Sequence, residues 1–241
     1  MMPQDYIASR RLQLAAEALI RHRNGGAPAV LLEGPPGAGK TAFGEWLAAR
    51  EQMVLVYHQC HAWTDADELF VGVDVAAAVA GDAEAVRQDG VLARAAKLSQ
   101  EGRVLVLLDE MDKTPERAEA LLLDWLQSGR VPLRPGYHLQ TRLDQVVVVL
   151  TSNGVRQLSD ALLRRVRRVQ VDPLPVELLN RLAVERSGAP AGVVTLISRA
   201  SREIAQAEGN LALSLQEIAH AAREAWELAR DVADVREILA A

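Results

Sequence analysis

The sequence predicts an α/β fold built on a buried parallel sheet, and three stretches carry that prediction. The first is the apolar run Ala29-Val30-Leu31-Leu32, followed by Gly34-Pro35-Pro36-Gly37-Ala38-Gly39-Lys40-Thr41 and then by helical spacing from Ala42 to Ala49. The second is Val104-Leu105-Val106-Leu107-Leu108, which ends in Asp109-Glu110. The third is Val146-Val147-Val148-Val149-Leu150, which delivers Thr151-Ser152-Asn153. Strands that are apolar at every position belong in a sheet covered on both faces, and such sheets bind ligands at the carboxyl ends of their strands. All three polar segments are therefore expected along one edge.

Residues 34–41 form a complete Gly-x4-Gly-Lys-Thr pattern. Its glycines let successive backbone N–H groups turn inward as an anion nest, and the helix beginning near Lys40 adds the positive end of its dipole. Strand before and helix after are the context such a loop needs. Gly34, Pro35, Pro36, Gly37, Ala38, Gly39, Lys40 and Thr41 are thus expected to hold a nucleoside triphosphate.

Composition sets the frame. A chain of 241 residues, 49% hydrophobic, fits one large domain or a main domain with a small appendage, and can bury a substantial core. No apolar run reaches membrane-spanning length, and Met1-Met2-Pro3-Gln4-Asp5 lacks the basic and apolar regions of a secretion signal. A soluble, cytoplasmic protein without membrane insertion is expected. Cys60 is the single cysteine, which excludes an internal disulfide and reads as a small apolar residue. The formal charge of −5 argues against whole-surface affinity for nucleic acid but leaves a local basic channel open.

The elements follow in order. Ile7, Leu12, Leu14, Ala15, Ala18 and Leu19 have mostly helical spacing, and Arg21-His22-Arg23-Asn24-Gly25-Gly26 ends that helix ahead of the first strand. Met53 to Tyr57 is a second strand, short and apolar enough to predict a buried position. In the loop Gln59 to Asp65, Cys60-His61 does not make a tetrahedral zinc site, because no second Cys/His pair accompanies it. Residues 70–90, interrupted by Gly72, Gly81 and Gly90, read as a loop carrying a short helix. Helical spacing resumes from Val91 to Leu98.

At the end of the Val104–Leu108 strand, Asp109 can hold magnesium through its hydration shell while Glu110 orients an attacking water. Thr114 then reads as a helix N-cap, Pro115 as the first helical residue and Gly129 as the stop. Val131 to Tyr137 is a turn or short hairpin. Asn153 can hydrogen-bond the water or the γ-phosphate, or simply form a turn. Asp160 to Arg168 predicts a helix bearing Arg164, Arg165, Arg167 and Arg168. These arginines can be a solvated face, a nucleic-acid contact, or the source of one side chain that enters a neighbouring subunit's site. Val171-Asp172-Pro173-Leu174-Pro175 marks a domain junction, dividing residues 1–172 from 173–241. Beyond it the pattern is helical: Leu178-Leu179, Val193 to Ala207, and Leu215 to Leu239, with breaks near 188–190 and 209–210.

These motifs resemble an AAA+ ATPase of the MoxR and dynein-related branch, over residues from about 5 to 230. Gly34 to Thr41 resembles Walker A, and Leu105 to Glu110 resembles Walker B with its catalytic glutamate. Gln88 to Ala95 is similar to the helix ahead of Walker B, and Thr151-Ser152-Asn153 to sensor 1. Asp160 to Val166 resembles the arginine-finger stretch, with Arg165 as the finger and Arg164 as runner-up.

The resemblance implies an α/β P-loop NTPase fold: an αβα sandwich on a parallel five-stranded sheet, plus a small C-terminal helical lid. It further implies ATP rather than GTP, Mg2+ held by Thr41 and Asp109, and a homo-oligomeric, typically hexameric ring. ATP hydrolysis would remodel, activate or assemble protein partners, with von Willebrand A-domain proteins among the candidate clients. The alternatives are a nucleic-acid-associated motor or loader, and a nucleotide-controlled assembly switch with slow hydrolysis. One departure stands out: Gln216 occupies the place of the lid's sensor 2 arginine, leaving Arg199, Arg202 and Arg223 as substitutes.

Overall fold

The computed structural model describes residues 6–21, 26–73, 79–81, 87–134, 136–209 and 212–228. The chain divides into two compact units, Met1–Gly34 with Lys40–Val171, and Pro35–Gly39 with Asp172–Ala241.

The first unit opens with helix α1 (Arg10–Arg21), strand β1 (Ala29–Glu33), helix α2 (Lys40–Arg50) and strand β2 (Val54–Gln59). A short α3 (Ala66–Leu69) leads into β3 (Val71–Val73), β4 (Arg87–Asp89), α4 (Val91–Leu98) and β5 (Val104–Asp109). Next come α5 (Glu116–Ser128), β6 (Arg130–Arg134), β7 (Tyr137–Gln140), β8 (Val146–Ser152), α6 (Asp160–Leu163) and β9 (Arg167–Gln170). The main sheet runs β2-β5-β8-β1-β9 and every adjacent pair is parallel.

Alternation along β5 assigns its two faces. Val106 and Leu108 join Leu92, Leu122, Trp125, Val148 and Leu150 in one buried cluster, which α4 and α5 supply from that side. Leu107 faces the other way, where α2 comes so close that a Cβ on Gly44 would lie 2.9 Å from its Cδ2. Phe43 and Leu47 of α2 are fully buried. Helices thus cover both faces, and burying each Val or Leu side chain is worth about 1.5–3 kcal/mol. The α/β P-loop architecture expected from the sequence is what the chain adopts.

Four local expectations are corrected. Strand β2 is not interior but an edge strand: Val54 is 49% exposed, Leu55 37% and Tyr57 43%. Its apolarity specifies a strand, whereas its place in the sheet is fixed by which neighbours compete for it. The Asp160–Arg168 segment is helical only as far as Leu163; Arg167–Gln170 is the fifth strand, paired to β1. Thr114 does not cap α5: its hydroxyl donates to the Met111 carbonyl at 2.8 Å, closing a 3-10 turn, and Pro115 takes the N-cap position. Finally, residues 71–73 and 87–89 pair as a small antiparallel ribbon, so the Gln88–Ala95 stretch is strand, then helix from Val91.

The hairpin foreseen at 131–137 is present as β6 paired with β7. Trp125, fully buried under it, donates its ring N–H to the Thr141 hydroxyl at 2.9 Å. The expected stop signals at 22–25, the rest of the 70–90 loop (74–78 and 82–86), Asn210 and the stretch 229–239 lie outside the described residues.

The second unit holds α7 (Val176–Ser187), α8 (Ala191–Glu208) and α9 (Leu215–Leu228). Leu182, Ala183, Val193, Val194, Ile197, Ile218 and Ala222 form its core. Gly188 and Gly209 close α7 and α8 at φ of +70°, a left-handed cap that side chains with a Cβ disfavour.

Candidate active site

Register brings the polar strand ends together. Leu108 pairs with Leu150, so Asp109 and Glu110 emerge beside Thr151, and Glu33 pairs with Ser152, so residue 34 begins next to the end of β8. The Gly34 N–H donates to the Ser152 carbonyl at 3.3 Å. Gly37 and Gly39 have φ of +74° and +86°, the left-handed values that glycine tolerates freely. Helix α2 starts at Lys40, which puts Lys40 and Thr41 in its first turn.

The Lys40 Nζ donates to the Gly34 carbonyl at 2.8 Å and to the Asn153 Oδ1 at 2.7 Å. The Asn153 amide nitrogen in turn donates to Glu110 Oε1 at 3.0 Å. Asn153 is therefore a bridge from the loop lysine to the strand-end acid. Glu110 Oε2 accepts from Lys113 Nζ at 2.7 Å and from the Gln59 amide at 3.2 Å. The Glu110 backbone is left-handed, φ 56° and ψ 46°, and its N–H donates to the Thr151 hydroxyl at 2.9 Å. A non-glycine residue in that region is uncommon and concentrates at functional sites.

Beside this chain, the Thr41 hydroxyl lies 2.9 and 3.0 Å from the two Asp109 carboxylate oxygens. Thr151, fully buried, donates to Asp109 Oδ1 at 2.5 Å, and Tyr57 donates to Oδ2 at 3.4 Å. Thr41 and Asp109 are an oxygen-only donor pair, which suits a hard cation such as Mg2+. Among the described residues no three His, Cys, Asp or Glu side chains could together hold a metal. A cation here would take its other ligands from phosphate and water, as Mg2+ does.

The electrostatics are those of a compact ionic cluster. Burial lowers the Lys40 ammonium, while Asp109, Asp112 and Glu110 pull it back up. Burial works to raise the Glu110 carboxyl, but the hydrogen bonds from Lys113 and Gln59, the Lys113 charge and the Asn153 bond outweigh it and hold it below the usual range. The Tyr57 phenol is pushed up to about 12, first by burial and then by the Asp109 charge and hydrogen bond.

The sequence-expected residues therefore separate into two places. Lys40, Thr41, Asp109, Glu110 and Asn153 meet at one edge of the sheet. Arg164 and Arg165 do not join them: they precede Arg167, which pairs with Val30 near the start of β1, at the opposite edge. Arg165 lines a hollow there with Ala18, Leu19, Ala27, Pro28 and Leu126. Both arginines are exposed, and neither side chain has a hydrogen bond or ion pair among the described residues. Arg168 is engaged, donating through Nε and a terminal nitrogen to both Glu33 oxygens at 2.9 Å. In the second unit, Gln216 is exposed on α9, Arg202 bonds the Ser198 carbonyl, Arg199 pairs with Glu203, and Arg223 bonds the Arg186 carbonyl.

Sequence reasoning gave no role to Gln59, Lys113, Tyr57 or Asp112, and placed Thr151 only within the stretch similar to sensor 1. Lys113 could have been found as a cation three residues after Glu110, and Thr151 by its alternation with Asn153. Gln59 and Tyr57 needed the sheet order, which no local pattern supplies.

A parallel sheet with a glycine-rich loop before α2 and acids at the end of a central strand defines the P-loop NTPase fold. The AAA domain (dynein-related subfamily) matches residues 29–166, more than half of the chain, and the chain belongs to that family. It is also 29% identical to the Lon protease of Mycolicibacterium smegmatis over 210 residues, 78% of this chain but 25% of that protein. It thus spans about a quarter of that relative's length. A solved structure of a mutant RuvB from Thermotoga maritima shares the fold at a TM-score of 0.54, covering 94% of this chain and 73% of that one at 17% identity.

Proposed function

We propose that this chain is an Mg2+-dependent ATPase that works as a homo-oligomeric ring, with residues 1–172 as the nucleotide-binding core and 173–241 as a lid. The observation that carries the reading is the continuous chain Lys40–Asn153–Glu110, with Thr41–Asp109 beside it. It ties a phosphate-binding cation to a carboxylate base through a single amide.

Each residue has a task that its surroundings support. The loop amides of residues 34–41 and the Lys40 ammonium receive the phosphates. Thr41 and Asp109 would hold magnesium, which, when bound, offsets charge on the phosphate oxygens. Glu110 orients the attacking water and accepts its proton. A carboxylate offers about four lone-pair positions, and three are occupied here, one on Oε1 and two on Oε2. The position left is on Oε1, so the water would share that oxygen with Asn153. Asn153 thereby reads the terminal phosphate and steers the water together.

Arg165 stands at the sheet edge away from Lys40, so it can complete a site only on another copy. That supports its reading as an arginine finger in trans, with Arg164 next to it as the alternative. Replacing Arg165 with Ala is expected to cost about 1000-fold in turnover with binding kept. Lys40→Ala is expected to weaken ATP binding about tenfold or more. Mixing the two variants should restore turnover, because intact Lys40 sites would then face intact Arg165; no recovery in the mixture contradicts the trans assignment.

The finer role, a MoxR-like cytoplasmic chaperone acting on a protein client such as a von Willebrand A-domain protein, rests on the sequence resemblance. No described helix is long and apolar enough to cross a membrane. A nucleic-acid motor is the weaker reading: the net charge is −5, and Arg168 is already committed to Glu33. A nucleotide-controlled assembly switch predicts oligomer formation with ATP and little phosphate release, which chromatography and a turnover assay separate.

A further inference from the structure

Asp112 sits in the 3-10 turn that follows Glu110 and is 2% exposed. Its Oδ2 accepts the backbone N–H of Asn153 at 3.2 Å and of Val155 at 2.8 Å. Between them, the Gly154 N–H donates to the Ser152 hydroxyl at 3.0 Å. Three successive amides of the loop after β8 are thus held by side-chain oxygens, and the buried carboxylate holds two of the three. Its other oxygen, Oδ1, has no hydrogen bond from any described residue.

Burying a carboxylate is costly unless it is paired and hydrogen-bonded. Here the compensation comes from those two amides and from the charges of Lys40 and Lys113, on both of which Asp112 acts. The loop needs such an anchor. Gly154 has a φ of +79°, and Val155 is 74% exposed, so neither conformational preference nor core packing fixes the path of residues 153–155. Yet the Asn153 side chain must reach Lys40 and Glu110 at the same time, and the direction of its Cα–Cβ bond follows the backbone.

The geometry points to Asp112 as a positioning residue: its buried carboxylate clasps the backbone of residues 153–155 so that the Asn153 amide spans Lys40 and Glu110. This rests on the hydrolase reading above. Asp112 touches neither phosphate nor water; it acts through Asn153, from the same strand end that supplies Asp109 and Glu110. The clasp ties the ends of β5 and β8 into one unit.

The test is steady-state hydrolysis by the full chain and its Asp112→Ala and Asp112→Asn variants, with the unfolding midpoint of each. Asp112→Ala is expected to lower kcat about 100-fold, the cost of an ångström-scale misplacement, while KM for ATP changes less than about threefold. Asp112→Asn keeps an oxygen that both N–H groups can reach, and is expected to return kcat to within about fivefold of the parent. A kcat for Asp112→Ala within about threefold of the parent, equal losses in kcat and KM binding terms, or an Asn variant as slow as the Ala variant would each overturn the clasp. Should Asp112→Ala not fold, Val155→Pro removes the closer donor from an exposed position; about a tenfold loss of kcat is expected, and an unchanged kcat overturns the proposal.

A second readout separates the clasp from the hydrolase reading. In protein labelled with 15N-asparagine, the Asn153 amide should exchange with solvent at least about tenfold faster in Asp112→Ala (or in Val155→Pro if needed), with Asn180 unaffected. If the parent shows no turnover, the hydrolase reading fails, and the clasp stands or falls on this exchange rate alone.

Discussion

The centre and the edges of the main sheet behave as two different kinds of sequence. In the centre, β5 and β8 are buried at every position, and they deliver Asp109, Glu110, Thr151 and Asn153 to the site. At the edges, β2 is half exposed and contributes Tyr57 and Gln59, while β9 carries Arg167 and Arg168 and buries only Val169. A strand covered on both faces has no freedom in composition, so its function can be read where the apolar run stops. An edge strand has one partner and a solvent-facing side, so polarity and apolarity both fit it, and its role depends on neighbours remote in sequence.

That contrast can be broken by substitution. Leu107→Ala, in the centre, should cost about 3 kcal/mol of stability through lost transfer energy and a residual cavity, measured by denaturant unfolding. A loss below about 1 kcal/mol would mean that the centre is less rigid than its burial implies. Asn153→Ala should reduce kcat at least about 100-fold with little change in KM, since it removes the amide joining Lys40 to Glu110, through which Asp112 also acts. Gln59→Ala, the edge counterpart, removes one of three hydrogen bonds to Glu110 and should change kcat by about fivefold or less. An edge effect equal to the central one would erase the distinction. Leu55→Ala should cost under about 1 kcal/mol, because that side chain already contacts water. At the smallest end, Cys60 is 1% exposed and burial pushes its thiol up to about 12. Native protein should therefore resist alkylation at neutral pH, and rapid labelling with retained activity would contradict this placement.

What could be read in advance follows the same division. The places of the loop 34–41 and of the pair Asp109-Glu110 were legible because each directly follows an apolar run that becomes a strand of the main sheet. Asn153 was legible as a strand-end amide, although its bridging of Lys40 and Glu110 required the register of β5 against β8. Strand β9 was missed because Arg164 to Arg168 continues the polar pattern of a helix, and only pairing with β1 makes it extended. Edge placement of β2 escaped for the converse reason: Val54, Leu55 and Tyr57 look like core. Thr114 and Pro115 failed by one position, since the 3-10 turn after Glu110 uses the threonine hydroxyl that a helix cap would have needed. Asp112 was invisible because its partners are backbone groups some forty residues away.

The most direct measurement of the central claim is ATP binding and phosphate release by the parent chain and by Glu110→Gln under identical Mg2+ concentrations. The glutamine keeps the side chain's size and an acceptor oxygen but cannot take a proton at neutral pH. Binding within about threefold of the parent, with turnover reduced at least about 100-fold, is the expected result for a general base. Turnover by Glu110→Gln equal to that of the parent would contradict it, because the carboxylate that Asn153, Lys113 and Gln59 all hold would then have no part in the reaction.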